Sequence, residues 1–512
     1  MARSFCRSSL CRLLFLVMSL ASQRCYGFRT FEFDIHHRYS DPVKGILDVQ
    51  GLPEKGSREY YVAMSQRDRI FRGRGLAGGD PTVLTFSGGN ETQLSSFGYL
   101  QYANVSVGTP ALSFLVALDT GSDLFWLPCN CSSCVQSLPS DDGQATNLTI
   151  YGPEASSTSK NVLCNSTFCE QRTQCPSPGS SCPYQIQYLS NGTSSSGILV
   201  EDVLHLITDD NQKKEDDALI TFGCGQIQTG SFLSGAAPDG LLGLGMRSIS
   251  VPSILAKEGL TSNSFSMCFG ADGVGRIRFG DNGSSDQGKT PFNLRASMPT
   301  YNISITQIIV GGIAADVEFN AIFDSGTSFT YLNDPAYTQI TTSFSSRIKE
   351  NRHSSGSGED LPFEFCYDLS SNQTNFEVPV LNLTMKGGDN YSVTDPLLVF
   401  YNEEVPVGYC LGIVKSDDVN IIGHNFMTGY NIVFDRDNMI LGWKESNCYD
   451  DVHSNSSQSP TNKPHTPALA VNPADTSNQP SGSPSRNPFT FTFIVVLFPL
   501  LARCLVYQFC FI

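Results

Sequence analysis

The chain is short of positive charge. Lys and Arg number 33 against 49 Asp and Glu, giving a formal net charge of -16 and a pI of about 4.8. A phosphate backbone needs a basic patch, so nucleic acid is excluded as a partner. The sequence also lacks a Gly-rich phosphate loop, a zinc-binding His pair and a Gly-x-Ser-x-Gly elbow. Nucleotide, zinc and serine-hydrolase chemistry therefore have no anchor, and no cofactor or metal is implied. Charged residues are scarce at 16% while 40% are hydrophobic, which describes a globular chain and not a disordered one. An acidic balance suits work in an acidic compartment, where carboxylates titrate and self-repulsion falls. It equally suits a soluble secreted protein.

Long apolar runs are confined to the two ends. Arg3, Arg7 and Arg12 precede the short run Leu13–Ala21, and small residues follow. This pattern predicts a signal peptide over residues 1–27, cleaved after Ala21 or Gly27. At the other end, residues 451–488 form a Ser/Pro/Asn-rich stalk and 489–512 an apolar tail. Stalk, small residues and terminal tail together predict a lipid (GPI) anchor, with Ser477, Ser481 or Ser483 as the attachment point. Arg503 inside the tail departs from the pattern, and a retained membrane span is the alternative. The expected destination is the outer face of the plasma membrane or the cell-wall space.

Of 17 Cys, five lie in these end segments, and 12 remain. They are Cys129, Cys131, Cys134, Cys164, Cys169, Cys175, Cys182, Cys224, Cys268, Cys366, Cys410 and Cys448. An even number in a secreted chain predicts disulfides. The C-x-x-C spacing of Cys131 and Cys134 has no matching His cluster, so zinc is not expected. Asn104, Asn147, Asn165, Asn191, Asn302, Asn372 and Asn382 head sequons and are glycosylation candidates.

Residues 28–95 have their own texture. Tyr60, Tyr61, Ala63 and Met64 make a helix-like apolar set, followed by Arg67, Arg69, Arg72 and Arg74 and a Gly-rich stretch. The segment reads as a removable pro-segment. From Tyr99 onward, short apolar runs alternate with Gly, Ser, Asn and Asp, as in Tyr102–Val107, Phe114–Leu118 and Ile303–Val310. That is a mostly-β pattern. Helices are expected only at places such as Val251–Gly259 and Pro335–Ile348.

One internal repeat dominates. Residues 114–127 read FLVALDTGSDLFWL and residues 319–332 read FNAIFDSGTSFTYL. Gly240-Leu-Leu-Gly243 follows the first copy and Asn420-Ile-Ile-Gly423 the second. Two related halves, 96–295 and 296–450, thus each place one carboxylate at a strand-to-turn corner. Two carboxylates at hydrogen-bond distance cannot both ionise easily, so the pair shares one proton over an acidic range. One can then activate water while the other protonates a carbonyl. Asp119 and Asp324 are the predicted catalytic pair. Gly121 and Gly326 would let amides reach the carboxylates, Ser122 and Thr327 would donate hydroxyls, and Thr120 and Ser325 complete each turn.

With these motifs the chain resembles the pepsin-like aspartic proteases over roughly Tyr99–Cys448. The resemblance implies an all-β, bilobal fold with pseudo-twofold lobes, a cleft between them, and peptide or protein substrates. It implies a β-hairpin flap, here Tyr184–Tyr188 and onward to Gly197, with Tyr188 as the flap tyrosine and Trp126 as its indole support. Leu189 stands where the family usually has Gly, and the tip is lengthened around Asn191. Seven cysteines between Cys129 and Cys182 resemble the nepenthesin-type plant branch, and the terminal tail resembles its lipid-anchored members. Cys366–Cys410 resembles the family's C-lobe bridge, and Cys224–Cys448 is a further pairing expected from it. His205 and His424 read as structural. A monomer is expected.

These features predict an acid-active endopeptidase, tethered to the membrane by its lipid anchor. A catalytically silent binding or inhibitor protein of the same fold is the alternative. A basic arm around Arg67–Arg74 is expected to lie over the cleft, pair with its carboxylates at neutral pH and leave on acidification.

Overall fold

The computed structural model describes residues 29–47, 53–71, 83–85, 91–93, 98–139, 145–189, 192–209, 214–270, 273–293, 300–353, 361–370, 373, 376–402 and 405–449. Both end segments, Asn191, Asn372, Arg72, Arg74 and the three serine attachment candidates lie outside these residues. Among the described residues no helix is long and apolar enough to cross a membrane.

The alternating runs do become strands. Gln101–Val107 buries every residue but Asn104 and Ser106, and Asn302–Val310 alternates in the same way. The helical stretches form at Val251–Lys257 and Ala336–Ser345. Side chains of period two bury one face of each strand and leave the other for solvent or a second layer.

One large sheet carries the first half. Its path runs from the hairpin Pro183–Gln187 and Ser194–Ile207 through Glu215–Thr229, Trp126–Ser133, Leu241–Gly243, Leu112–Asp119 and Gln101–Val107. It continues through Phe31–His37, Val274–Phe279, Ser264–Phe269, Tyr430–Asp435, Ile440–Glu445 and Gly288–Pro291. The strand Phe31–His37, from the segment before the first half, therefore sits inside the sheet. It pairs antiparallel with Val274–Phe279 on one side and Gln101–Val107 on the other. A second sheet carries the second half, with Phe319–Phe323, Ile421–Ile422 and Thr330–Leu332 at its centre.

All 12 expected cysteines are paired: Cys129–Cys224, Cys131–Cys134, Cys164–Cys175, Cys169–Cys182, Cys268–Cys448 and Cys366–Cys410. The Cys224–Cys448 expectation is wrong, and sheet order explains why. Glu215–Thr229 lies parallel beside Trp126–Ser133, with Cys224 opposite Leu127, which brings Cys129 within reach. Cys448 follows Ile440–Glu445, two strands from Ser264–Phe269, and meets Cys268. The sulfurs of Cys164, Cys169 and Cys175 cluster closely enough for a metal, but each is in a disulfide.

Of the sequon residues described, Asn104, Asn147 and Asn165 are exposed, while Asn302 and Asn382 are half-buried. Asn302 is further occupied by accepting a bond from Asn293 Nδ2 at 3.0 Å.

Candidate functional site

The duplicated sequence folds into duplicated structure. Leu112–Asp119 ends at Asp119, the chain turns, and it returns as Trp126–Ser133. Leu241–Gly243 is wedged between them, parallel to Ala117–Asp119 and antiparallel to Trp126. The second half repeats this: Ile421–Ile422 lies parallel to Ile322–Phe323 and antiparallel to Tyr331. The wedges lock both turns, with Leu244 N–H on Asp119 O at 2.8 Å and Asp324 N–H on Ile422 O at 3.1 Å.

Both wedges end in a glycine that nothing larger fits. A Cβ on Gly243 would sit 2.4 Å from the Asp123 carbonyl carbon, and one on Gly423 would sit 2.1 Å from the Phe329 carbonyl oxygen. Backbone cannot yield as a flexible side chain can, so Gly243→Ala or Gly423→Ala is expected to cost about 1–3 kcal/mol or more. Thermal unfolding checks this. Gly179→Ala, which meets nothing within 4 Å, is the control. A midpoint as unperturbed as the control's would contradict the wedge.

Each carboxylate rests in the same cradle. Asp119 Oδ1 accepts from Gly121 N–H at 2.9 Å and Oδ2 from Ser122 Oγ at 2.6 Å. Asp324 Oδ1 accepts from Gly326 N–H at 2.9 Å and Oδ2 from Thr327 Oγ1 at 2.6 Å. Thr120 and Ser325, between carboxylate and glycine in each turn, are buried. Burial pushes the Asp119 carboxyl up to about 6; the Ser122 and Gly121 bonds oppose the rise, and the neighbouring Asp324 and Asp123 charges add to it.

The hairpin stands where it was expected. Pro183–Gln187 pairs with the start of Ser194–Ile207, and Tyr188 N–H closes on Thr193 O at 2.9 Å. Cys182, bonded to Cys169, stands at its base. Trp126 Nε1–H donates to Tyr188 OH at 2.8 Å, as the sequence reading expected. The Asp119 charge acts on the buried Tyr188 hydroxyl, which sets the hairpin beside the Asp119 cradle. Sequence reasoning missed Phe232, whose ring packs edge-on against Tyr188 at 5.0 Å and Trp126 at 4.9 Å. Leu189, after the tyrosine, is 76% exposed. His205 is held by Asp217 and Gly108 O, a structural role.

The largest departure concerns Arg67. It lies in the helix Arg58–Phe71, which buries every residue from Val62 to Asp68, polar ones included. Arg67 does not bond either carboxylate of the pair. Its Nε donates to Gly98 O at 2.8 Å, and its Nη1 to Gly326 O at 2.6 Å and to its own neighbour Asp68 at 2.9 Å. Asp68 in turn accepts from Ser328 N–H, Ser328 Oγ, Phe329 N–H and Tyr331 OH. The helix thus grips the loop that carries Asp324 through backbone and hydroxyls. A burial-tolerant ion pair inside the helix supplies its own counter-charge, so no cleft carboxylate is recruited. At the end of the helix Phe71 packs on Tyr99, ring centroids 5.4 Å apart.

Two family models, described as xylanase inhibitor N-terminal and C-terminal, match residues 102–281 and 300–445. Aspartyl protease family protein 1 of Arabidopsis thaliana is 55% identical over 96% of this chain and 99% of its own length. Aspartic proteinase nepenthesin-1 of Nepenthes gracilis is 25% identical over 81% of this chain and 93% of its own. Among solved structures, basic 7S globulin from soybean superposes with a TM-score of 0.52 at 20% identity, covering 69% of this chain and 93% of that one.

Proposed function

This chain belongs to the pepsin-like aspartyl protease family, and from that premise we propose that it is an active endopeptidase with Asp119 and Asp324 as its catalytic pair. The observation that carries the proposal is the mirrored cradle. Each carboxylate is fixed by one amide and one hydroxyl on its loop, and the Asp324 charge adds to the rise of the Asp119 carboxyl, as expected of two carboxylates that share one proton. A water held between them loses its proton to the ionised member as its oxygen attacks the peptide carbonyl. The protonated member gives its proton to the carbonyl oxygen, and the resulting gem-diol collapses with proton transfer to the leaving amine. Tyr188, bonded to Trp126, closes the site from the hairpin side.

Proteolysis of an unfolded protein by the acid-treated full chain, with and without pepstatin, tests the reading. Pepstatin-sensitive cleavage supports it. A folded chain that cuts nothing moves the reading to a binding or inhibitor protein, which the names of the two matching family models favour. Secretion and the lipid anchor complete the proposal, supported by the disulfides and by the terminal sequences.

The helix Arg58–Phe71 is proposed to hold the enzyme latent, and two histidines to sense acid. His37, buried, lies 5.4 Å ring to ring from half-buried His424, whose Nε2 is 2.8 Å from Gln101 Nε2. His37 Nδ1 accepts the Tyr39 N–H. Burial drives His37 well below its ordinary 6.5, helped by His424, Lys55, Arg67 and Arg38; burial and then Lys55 take His424 down to about 4. The cavity they line with residues of the helix and of the second half is also lined by Asp395. Both rings are neutral while the segment is docked. Undocking restores their ordinary affinity for protons, so docking weakens as pH falls from about 6.5 toward 4. His37→Gln is expected to move the onset of activation to lower pH. An unchanged onset in a folded variant would remove His37 from the trigger.

A further inference from the structure

The Asp119 turn rests on a strap that the sequence did not single out. After the wedge Leu241–Gly243, residues 244–247 run back along the turn and bond it repeatedly. Leu244 N–H donates to Asp119 O at 2.8 Å, Gly245 N–H to Ser122 O at 2.8 Å, and Arg247 N–H to Asp123 Oδ1 at 2.9 Å. Gly245 permits this approach, since a Cβ there would sit 2.3 Å from Asp123 Oδ1. The strap is held in turn by residues of the second half. Tyr301 OH donates to Leu244 O at 2.6 Å, and Arg436 Nη2 to Met246 O at 3.0 Å. Charge gathers at the same point. Arg247 Nε lies 3.6 Å from Asp123 Oδ2, and its Nη1 lies 3.6 Å from Glu170 Oε2. Glu170 sits inside the loops closed by Cys164–Cys175 and Cys169–Cys182, so the cysteine-rich segment reaches the Asp119 turn through one arginine.

We infer that Asp123 and Arg247 are a positioning pair for Asp119: Arg247 pins Asp123 to the strap and offsets its charge, and together they set the electrostatic surroundings in which Asp119 works. The inference rests on the peptidase reading and adds to it two residues that act through Asp119.

Charge fixes the sign of each effect. A negative Asp123, on the same turn, opposes ionisation of Asp119. The positive Arg247 beside Asp123 works the other way. The other groups that act here are Asp324, Tyr99 and Tyr188 at Asp119, and Tyr301 and Arg436 at Asp123. Arg67 reaches Tyr99 and the Asp324 loop from the helix, and Asp437 lies near Arg436. Burial holds the three tyrosines well above their ordinary 10, so they stay neutral at working pH, while the arginines stay charged. No neighbour therefore reverses the sign.

The test follows kcat/KM against pH for the acid-activated full chain. Arg247→Met should move the upper limb of the profile about half a pH unit higher. Asp123→Asn, whose amide oxygen can still accept the Arg247 N–H, should move it about half a unit lower. The Arg247 side chain is half exposed, so both displacements should shrink in about 1 M salt. Lys349→Met, which removes an exposed ion pair with Glu377, is the control and should leave the limb in place. Opposite displacements support the pair. A limb that stays put in both variants, or moves the same way in both, overturns it, because a merely structural role carries no sign. If no peptide is cut, the peptidase reading fails, and the pair is decided separately by NMR. The Asp119 carboxyl carbon, assigned with Asp119→Asn, is then titrated in the full chain and in both variants from about pH 5 to 8, around the ionisation range of a raised carboxyl. Midpoints displaced in the same opposite senses support the pair, and any other pattern overturns it.

Discussion

Replacing Asp324 with Asn is expected to lower proteolysis by about 1000-fold or more while leaving the fold in place. Asn keeps an oxygen for the Gly326 amide and nearly the same volume, so the cradle survives; only the exchangeable proton is lost. Asp119→Asn should do the same, and the double variant should be little worse than either single one, because two groups that share one proton act as a unit. The wild type carries a second signature. The Asp119 carboxyl is held up to about 6, chiefly by burial, so it keeps its proton below that pH and loses it above. If its proton is the one given to the substrate, kcat/KM falls as pH rises through about 6. Thermal unfolding shows whether each variant is folded, and proteolysis across pH reads the effect. Substantial activity in a folded Asp324→Asn protein would end the peptidase assignment of this pair.

Asp68→Ala should free the enzyme from its own helix. Asp68 collects donors from Ser328, Phe329 and Tyr331 and neutralises Arg67, with both side chains almost fully buried. Removing one member of a buried pair leaves the other charge uncompensated, at a cost of about 3–5 kcal/mol. At about 1.4 kcal/mol per tenfold, the docked helix loses a factor of roughly 100–4000 in population. The full chain carrying Asp68→Ala should therefore cleave substrate at about pH 6 without acid pretreatment, where Asp119 is still half protonated. Changing Arg67 and Asp68 together to apolar residues of similar size should restore much of the latency, because no lone charge is then buried. Latency that persists in the single variant would show that the helix is not what closes the cleft.

The pair of aspartates, their glycines and hydroxyls, and the Tyr188–Trp126 contact were legible because each sits within a few residues of a recognisable turn or strand. Local geometry dictates local chemistry, and the repeat doubled the signal. Phe232 was not legible, since it meets Tyr188 only after a hairpin and a long strand have returned the chain. The partner of Cys448 escaped for the same reason: disulfide choice follows the order of strands in the sheet, and spacing holds no record of which strand lies next to which. Arg67 was read as an arm for the cleft's carboxylates because a basic cluster beside an acidic protein invites that pairing. The next residue in the chain, Asp68, already satisfied it. The adjacency of Arg67 and Asp68 within the helical stretch was the one signal available.

The strand Phe31–His37 bears on what kind of event activation can be. It is hydrogen-bonded to a neighbour on both sides, so a cut between helix and first half does not by itself release it. Pulling it out would uncover two facing strand edges separated by about two inter-strand spacings of roughly 4.8 Å, the width of a single slot. Such a slot recruits the next extended segment within reach, whether from the new chain end, from a neighbouring molecule or from the strand's own return. Removal of the segment proposed to confer latency would then be a strand exchange, completed by whichever segment fills the slot first.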